Sequence, residues 1–90
     1  MSRYTLLEVS GESCANCYTM LPVVRELAAE RGVSVEHLEV SPENADEVKK
    51  YGIERVPTLI VFRGDEEVAR CAGYQPKEIL SLWLDAKLAQ

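Results

Sequence analysis

Residues 58–62 read TLIVF. Such a run, β-branched or apolar almost throughout, suits a strand covered on both faces better than one that alternates between core and water. A strand of that kind lies inside a sheet flanked by helices, so the rest of the chain must supply a layer on each side. Ninety residues are enough to do this once, which predicts one domain spanning residues 1–90 with a core of modest depth. The apolar fraction of 47% argues against disorder.

The remaining elements follow from periodicity and punctuation. Residues 4–9, YTLLEV, suit a buried strand that Glu8 interrupts, and residues 10–13, SGES, are turn and cap types. From Cys14 onward, Cys17, Met20, Leu21, Val24, Leu27 and Ala28 fall at helical spacing, and Gly32 is a natural stop. Pro22 lies inside this helix and removes one backbone donor. Residues 33–40, VSVEHLEV, read as a second strand. Ser41-Pro42-Glu43 is a helix start, and the short helix carries Ala45, Val48 and Tyr51 before Gly52. After TLIVF, the turn Arg63-Gly64-Asp65-Glu66 leads to a returning strand at 67–72, and Pro76 opens a last helix with Ile79, Leu80, Trp83, Leu84 and Leu88 on one face. The order is β-α-β-α-β-β-α. It predicts an α/β fold: a right-handed βαβ unit and a hairpin, joined in one four-stranded mixed sheet with helices on both faces.

Charge and cysteine content narrow the function. The formal net charge is −5, with no basic stripe, which speaks against nucleic acid and anionic membrane surfaces as partners. The start Met1-Ser2-Arg3-Tyr4 leads directly into a strand-like run without the pattern of a signal peptide, and no apolar run approaches a bilayer span. Three cysteines are too few, and odd in number, for a disulfide scaffold. The expected setting is cytoplasmic, and the expected state is a monomer.

In that setting the stretch GESCANCYTML at 11–21 needs a chemical reading. The first turn of a helix has unpaired N–H groups and the positive end of the helix dipole, so a thiolate placed there is stabilised. Cys14 should ionise below the free-thiol value of about 8.5. Cys17, one turn further in, can attack a mixed disulfide formed on Cys14. Cys14 is thus the expected nucleophile and Cys17 the resolving thiol. Glu8 sits in an apolar strand, where burial disfavours the charged carboxylate. If it lies behind Cys17 it could accept and return that thiol's proton; if it points outward from a strand edge it is only a solvated side chain.

These motifs together resemble the thioredoxin family, over nearly the whole chain. Cys14-Ala15-Asn16-Cys17 stands where the family has its redox pair, after a strand and opening a helix. Pro22 falls eight residues after Cys14, like the family's helix proline, and Glu8 six residues before it, where the family has a buried Asp. Residues 51–62, YGIERVPTLIVF, are similar to the loop and strand around the family's cis-proline, which would be Pro57. Gly73, sixteen residues beyond Pro57, matches the glycine beside the active site. The resemblance implies a thiol–disulfide oxidoreductase without a cofactor, acting on disulfide-containing proteins and drawing electrons from a reductase or glutathione. It also implies substrate contacts at Val56, Pro57 and Gly73. Tyr74 and Tyr18 could add contact surface or could be packing residues.

The departures are specific. The chain begins at what would be the second strand of a typical thioredoxin. Ser13 replaces the usual aromatic residue before the first cysteine, Ala15-Asn16 replaces Gly-Pro, and Glu8 replaces Asp. A charged group that the family places near its buried Asp aligns approximately with His37. Two other readings stay open. Cys14, Cys17, Cys71 and His37 could form a three-sulfur, one-nitrogen zinc set, or the Cys14–Cys17 pair could share an iron–sulfur cluster between subunits. A glutaredoxin-like enzyme would need cationic groups near Val56 and Gly73, where Arg55 is the candidate. Against the metal reading, Cys71 reads as a small buried hydrophobe and His37 as a packing or surface residue.

Overall fold

The computed structural model describes residues 3–89; Met1 and Ser2, which entered the reading of the N-terminus, and Gln90 lie outside the described residues. The strands are β1 (Tyr4–Gly11), β2 (Ser34–Val40), β3 (Thr58–Arg63) and β4 (Glu66–Ala72). The helices are α1 (Ala15–Glu30), α2 (Ala45–Lys50, preceded by a 3-10 turn at Pro42–Asn44) and α3 (Lys77–Leu88). The sheet order is β2-β1-β3-β4, with β1 parallel to β2 and antiparallel to β3, and β3 antiparallel to β4. This is the expected mixed sheet of four strands. Among the described residues, no helix is long and apolar enough to cross a membrane.

Strand alternation divides the core into two layers. One face of the sheet sends Leu6, Leu59 and Val61 into a cluster with Met20, Val24, Leu27 and Ala28 of α1 and Leu80 and Leu84 of α3. The other face sends Leu7, Val9, Leu38 and Ile60 against Val48 and Tyr51 on the α2 side. Thr58, Leu59, Ile60 and Val61 are all buried, as a strand sandwiched between helices requires. Fully burying one such side chain contributes about 1.5–3 kcal/mol, so each layer is worth several times the strength of a surface ion pair.

The start of the short helix is as expected: Ser41 and Asn44 form a capping box, in which the Asn44 side-chain oxygen accepts from the Ser41 N–H at 2.9 Å. Two expectations need correction. β1 does not stop before Ser10: it runs on through Ser10 and Gly11, which pair with Glu39 and Val40 of β2. The parallel pairing outweighs the turn preference of Ser-Gly. Ile79 is not part of the α3 core stripe; it is 50% exposed, because α3 contacts the sheet along a narrow line centred on Leu80 and Leu84.

Candidate active site

The site forms where the end of the central strand β1 meets the start of α1. Cys14 is the N-cap of α1, with extended backbone angles of φ −108° and ψ 99°. Its carbonyl accepts from the N–H groups of Cys17 and Tyr18, and its Sγ accepts from the Cys17 N–H at 3.2 Å. The first turn of α1 carries no acidic residue, so nothing competes with sulfur for the positive end of the dipole. Cys14 is half-buried, whereas Cys17 is 2% exposed and continues the inward stripe of Met20 and Val24. The two are joined by a disulfide, with Cα atoms 5.3 Å apart. An outer and an inner sulfur are therefore distinguished by the helix itself.

Glu8 is fully buried. It shares the alternation of Leu6, so it faces the layer covered by α1, the helix that carries Cys17. The solvent-facing alternative for Glu8 is thereby overturned. Its carboxylate is held from two sides. Ser10 Oγ lies 2.9 Å from Oε1 and 2.8 Å from Oε2. His37 Nδ1 lies 2.8 Å from Oε1, and the His37 side chain is 31% exposed. Buried charge without partners is prohibitive, and here every buried side-chain polar atom among the described residues has a hydrogen-bond partner. Ser10 was missed from sequence because it read as a turn. Its parity with Leu6 and Glu8 was the signal that could have found it.

The loop before β3 packs against the end of β1, the strand that leads to Cys14. The Val56–Pro57 peptide bond is cis, and Pro57 is buried. Val9 pairs with Thr58 and Thr58 with Ala72, so Pro57 stands between the end of β1 and the end of β4. A Cβ on Gly11 would lie 3.1 Å from Val56 Cγ2, which shows how closely the end of β1 approaches this loop. Gly73 donates its N–H to the Pro57 carbonyl at 2.7 Å and has φ +96°, a conformation that favours glycine. Tyr74 is 42% exposed and Tyr18 71% exposed, so both offer surface beside the site rather than filling the core.

The zinc set is not brought together. His37 is engaged with Glu8, and Cys71 is a free, half-buried thiol on β4, opposite Leu59. Among the described residues, no three His, Cys, Asp or Glu side chains converge in a group that could hold a metal ion. Burial pushes the Cys71 thiol up from its ordinary value, the reverse of what a metal-binding or reactive cysteine needs.

Two sulfurs on one helical turn can close and open a ring against one external disulfide at a time. On this sheet, they make the chain a protein disulfide oxidoreductase with a thioredoxin-like fold. The sequence profile described as "Thioredoxin domain" matches residues 5–82, and the chain belongs to that family. A thioredoxin of Staphylococcus aureus is 38% identical over 76 residues, covering 83% of this chain and 73% of that one. A mutant thioredoxin from Halobacterium salinarum NRC-1 superposes with a TM-score of 0.84 at 28% identity, over 97% of this chain and 76% of that one. The fold also matches the structure of a complex of ferredoxin:thioredoxin reductase with thioredoxin f2, with a TM-score of 0.79 at 21% identity, over 93% of this chain and 77% of that one.

Proposed function

We propose that the chain, acting as one domain in the cytoplasm, reduces disulfides in protein substrates through Cys14 and Cys17, with Glu8 as the proton acceptor for Cys17. In the reduced protein, the Cys14 thiolate attacks one sulfur of the substrate disulfide. A Cys14–substrate bond forms, and the other substrate sulfur leaves as a thiolate that takes a proton from water. Cys17 then gives its proton to the Glu8 carboxylate and attacks Cys14 Sγ. The Cys14–Cys17 disulfide closes, and the second substrate sulfur departs as a thiolate that takes a proton from water. The substrate gains two electrons and the dithiol loses two. A reductase dithiol restores the starting state by the reverse exchange; the fold match to a thioredoxin bound to its reductase supports that class of electron donor.

The observation that carries this reading is the difference between the two sulfurs. Cys14 is half-buried at the helix cap, and Cys17 is 2% exposed on α1, the helix that covers the sheet face from which Glu8 projects. An attacking thiolate needs access and a nearby positive potential, while a resolving thiol needs only its partner and a base. Val56, Pro57, Gly73 and Tyr74 form the proposed substrate wall, with the backbone of Val56 pairing to an extended peptide.

The test is trapping. A Cys17→Ser variant should accumulate a stable mixed disulfide between Cys14 and a disulfide-containing protein such as insulin, while Cys14→Ser should accumulate none. Trapping through residue 17 in the Cys14→Ser variant, at a rate matching wild-type turnover, would refute the assignment.

A further inference from the structure

The rim of the proposed substrate wall carries a charged group that the sulfur chemistry does not use. Arg55 lies two residues before Pro57, in the loop between α2 and β3. Its side chain crosses toward the other wall: a Cβ on Gly73 would lie 3.7 Å from Arg55 Nη1 and 3.8 Å from Arg55 Cδ. The guanidinium thus rests against the glycine that closes onto Pro57.

Arg55 is exposed, and its guanidinium makes no ion pair with a carboxylate among the described residues. Arg31, Arg63 and Arg70 are engaged, with Asp85, Glu66 and Glu67; Arg3 and Arg25 form none of these pairs either, but neither borders this groove. Glu54, the sequence neighbour of Arg55, forms no ion pair among the described residues; Arg70 is held in its charged form first by the hydrogen bond to Glu67, and Glu54 adds only a weak attraction at a distance. Glu12 and Glu54 border the same groove as Arg55 and Val56, so the rim presents a single cation rather than a basic patch. A guanidinium is a planar fork that matches a carboxylate in a bidentate pair.

We propose that Arg55 selects disulfide substrates carrying an acidic side chain close to the attacked cysteine, by pairing with that carboxylate as the peptide lies along Val56. The inference rests on the substrate wall proposed above. Its sign is distinctive. The net charge of −5 would by itself steer basic substrates toward the protein, so a preference for acid beside the disulfide must come from a local cation.

The experiment uses three disulfide peptides that differ only in the residue after the attacked cysteine: Glu, Gln or Lys. The rate constant for their reduction is measured with wild type, Arg55→Gln and Arg55→Glu. Wild type should reduce the Glu peptide about twofold to fivefold faster than the Gln peptide, and the Lys peptide slowest, the range expected of one exposed ion pair. The difference should shrink as salt is raised. Arg55→Gln should abolish the preference for the Glu peptide, leaving the Lys peptide equal or faster because the net negative charge and the rim acids then act alone, and Arg55→Glu should favour the Lys peptide outright. Equal rates for all three peptides with wild type, or an order unchanged in both variants, would overturn the proposal. Glutathione disulfide and its dimethyl ester form another arm: discrimination there, with none among the peptides, would move the carboxylate to a chain terminus and overturn the side-chain assignment. If wild type reduces no peptide at all, the reading of function fails instead. Versions of the peptides with serine for cysteine then test Arg55 alone by equilibrium binding, where the same order supports the proposal and equal binding overturns it.

Discussion

Glu8 and His37 are directly opposite each other in the parallel pairing of β1 and β2, and His37 Nδ1 lies 2.8 Å from Glu8 Oε1. One partner is fully buried and the other reaches solvent. With Ser10 on the second side, the carboxylate is fixed in place while keeping a route to water through the imidazole. A buried acid anchored in this way is the proton acceptor proposed for Cys17, and the proposal can be tested at Glu8 itself.

Glu8→Gln preserves the shape and most of the hydrogen bonding but cannot accept a proton. Resolution of a pre-formed Cys14–substrate disulfide by Cys17 should slow by about 100-fold, at the low end of general-base effects. Attack by Cys14 should change far less. Quenched-flow separation of the two steps checks this; equal slowing of both would place Glu8 in structure rather than in proton transfer.

How much of this was legible in the sequence depends on how far each feature reaches through space. Cys14, Cys17, Pro57 and Gly73 belong to local motifs, and their places along the chain carried them. Glu8 was ambiguous because its direction depends on which sheet face α1 covers, and its partner on the register between β1 and β2. Ser10 was hidden by local turn chemistry that the parallel pairing overrode. Ile79 fell within the apolar spacing of α3, but a helix touching a sheet along one line buries only the centre of its stripe. The reach of Arg55 to Gly73 is a tertiary contact with no sequence signature.

Gly73→Ala should lower stability by about 1–2 kcal/mol, because φ +96° is unfavourable for any residue with a Cβ. The new methyl would meet Arg55 only in ordinary contact, at 3.7 Å from Nη1, so the cost comes from the backbone alone. Chemical denaturation should show the loss; a variant as stable as wild type would contradict the account of this glycine.

Arg31→Ala should destabilise the fold by about 1–2 kcal/mol. The guanidinium of Arg31 joins the end of α1 to α3, bonding the Leu27 carbonyl at 2.9 Å, Ser81 Oγ at 2.7 Å and Asp85 Oδ1 at 2.8 Å, with only 17% of the side chain exposed. Lys77→Ala breaks a similar α3-to-α1 pair with Glu26, but with 47% and 50% exposure that pair is screened by water and its loss should cost clearly less than the loss of Arg31. Urea unfolding of the two variants should rank them in this order.

Cys71 should alkylate more slowly than a free thiol near neutral pH. Burial raises its pKa, so the reactive thiolate is scarcer there, and its labelling should catch up only as pH rises above the ordinary thiol range. Cys71→Ser should leave the rate of peptide reduction unchanged. Fast labelling of Cys71 in the folded protein, read by mass spectrometry, would contradict its assignment as an inert thiol.

The most direct measurement is equilibration of the protein in dithiothreitol or glutathione redox buffers, followed by acid quench, alkylation and mass spectrometry of each cysteine. A single two-electron transition linking residues 14 and 17, with residue 71 labelled throughout, is the expected result. If residues 14 and 17 stay reduced across the whole range of buffers, or if residue 71 takes part in the bond, the helix-capping thiol pair is not the redox centre of this protein.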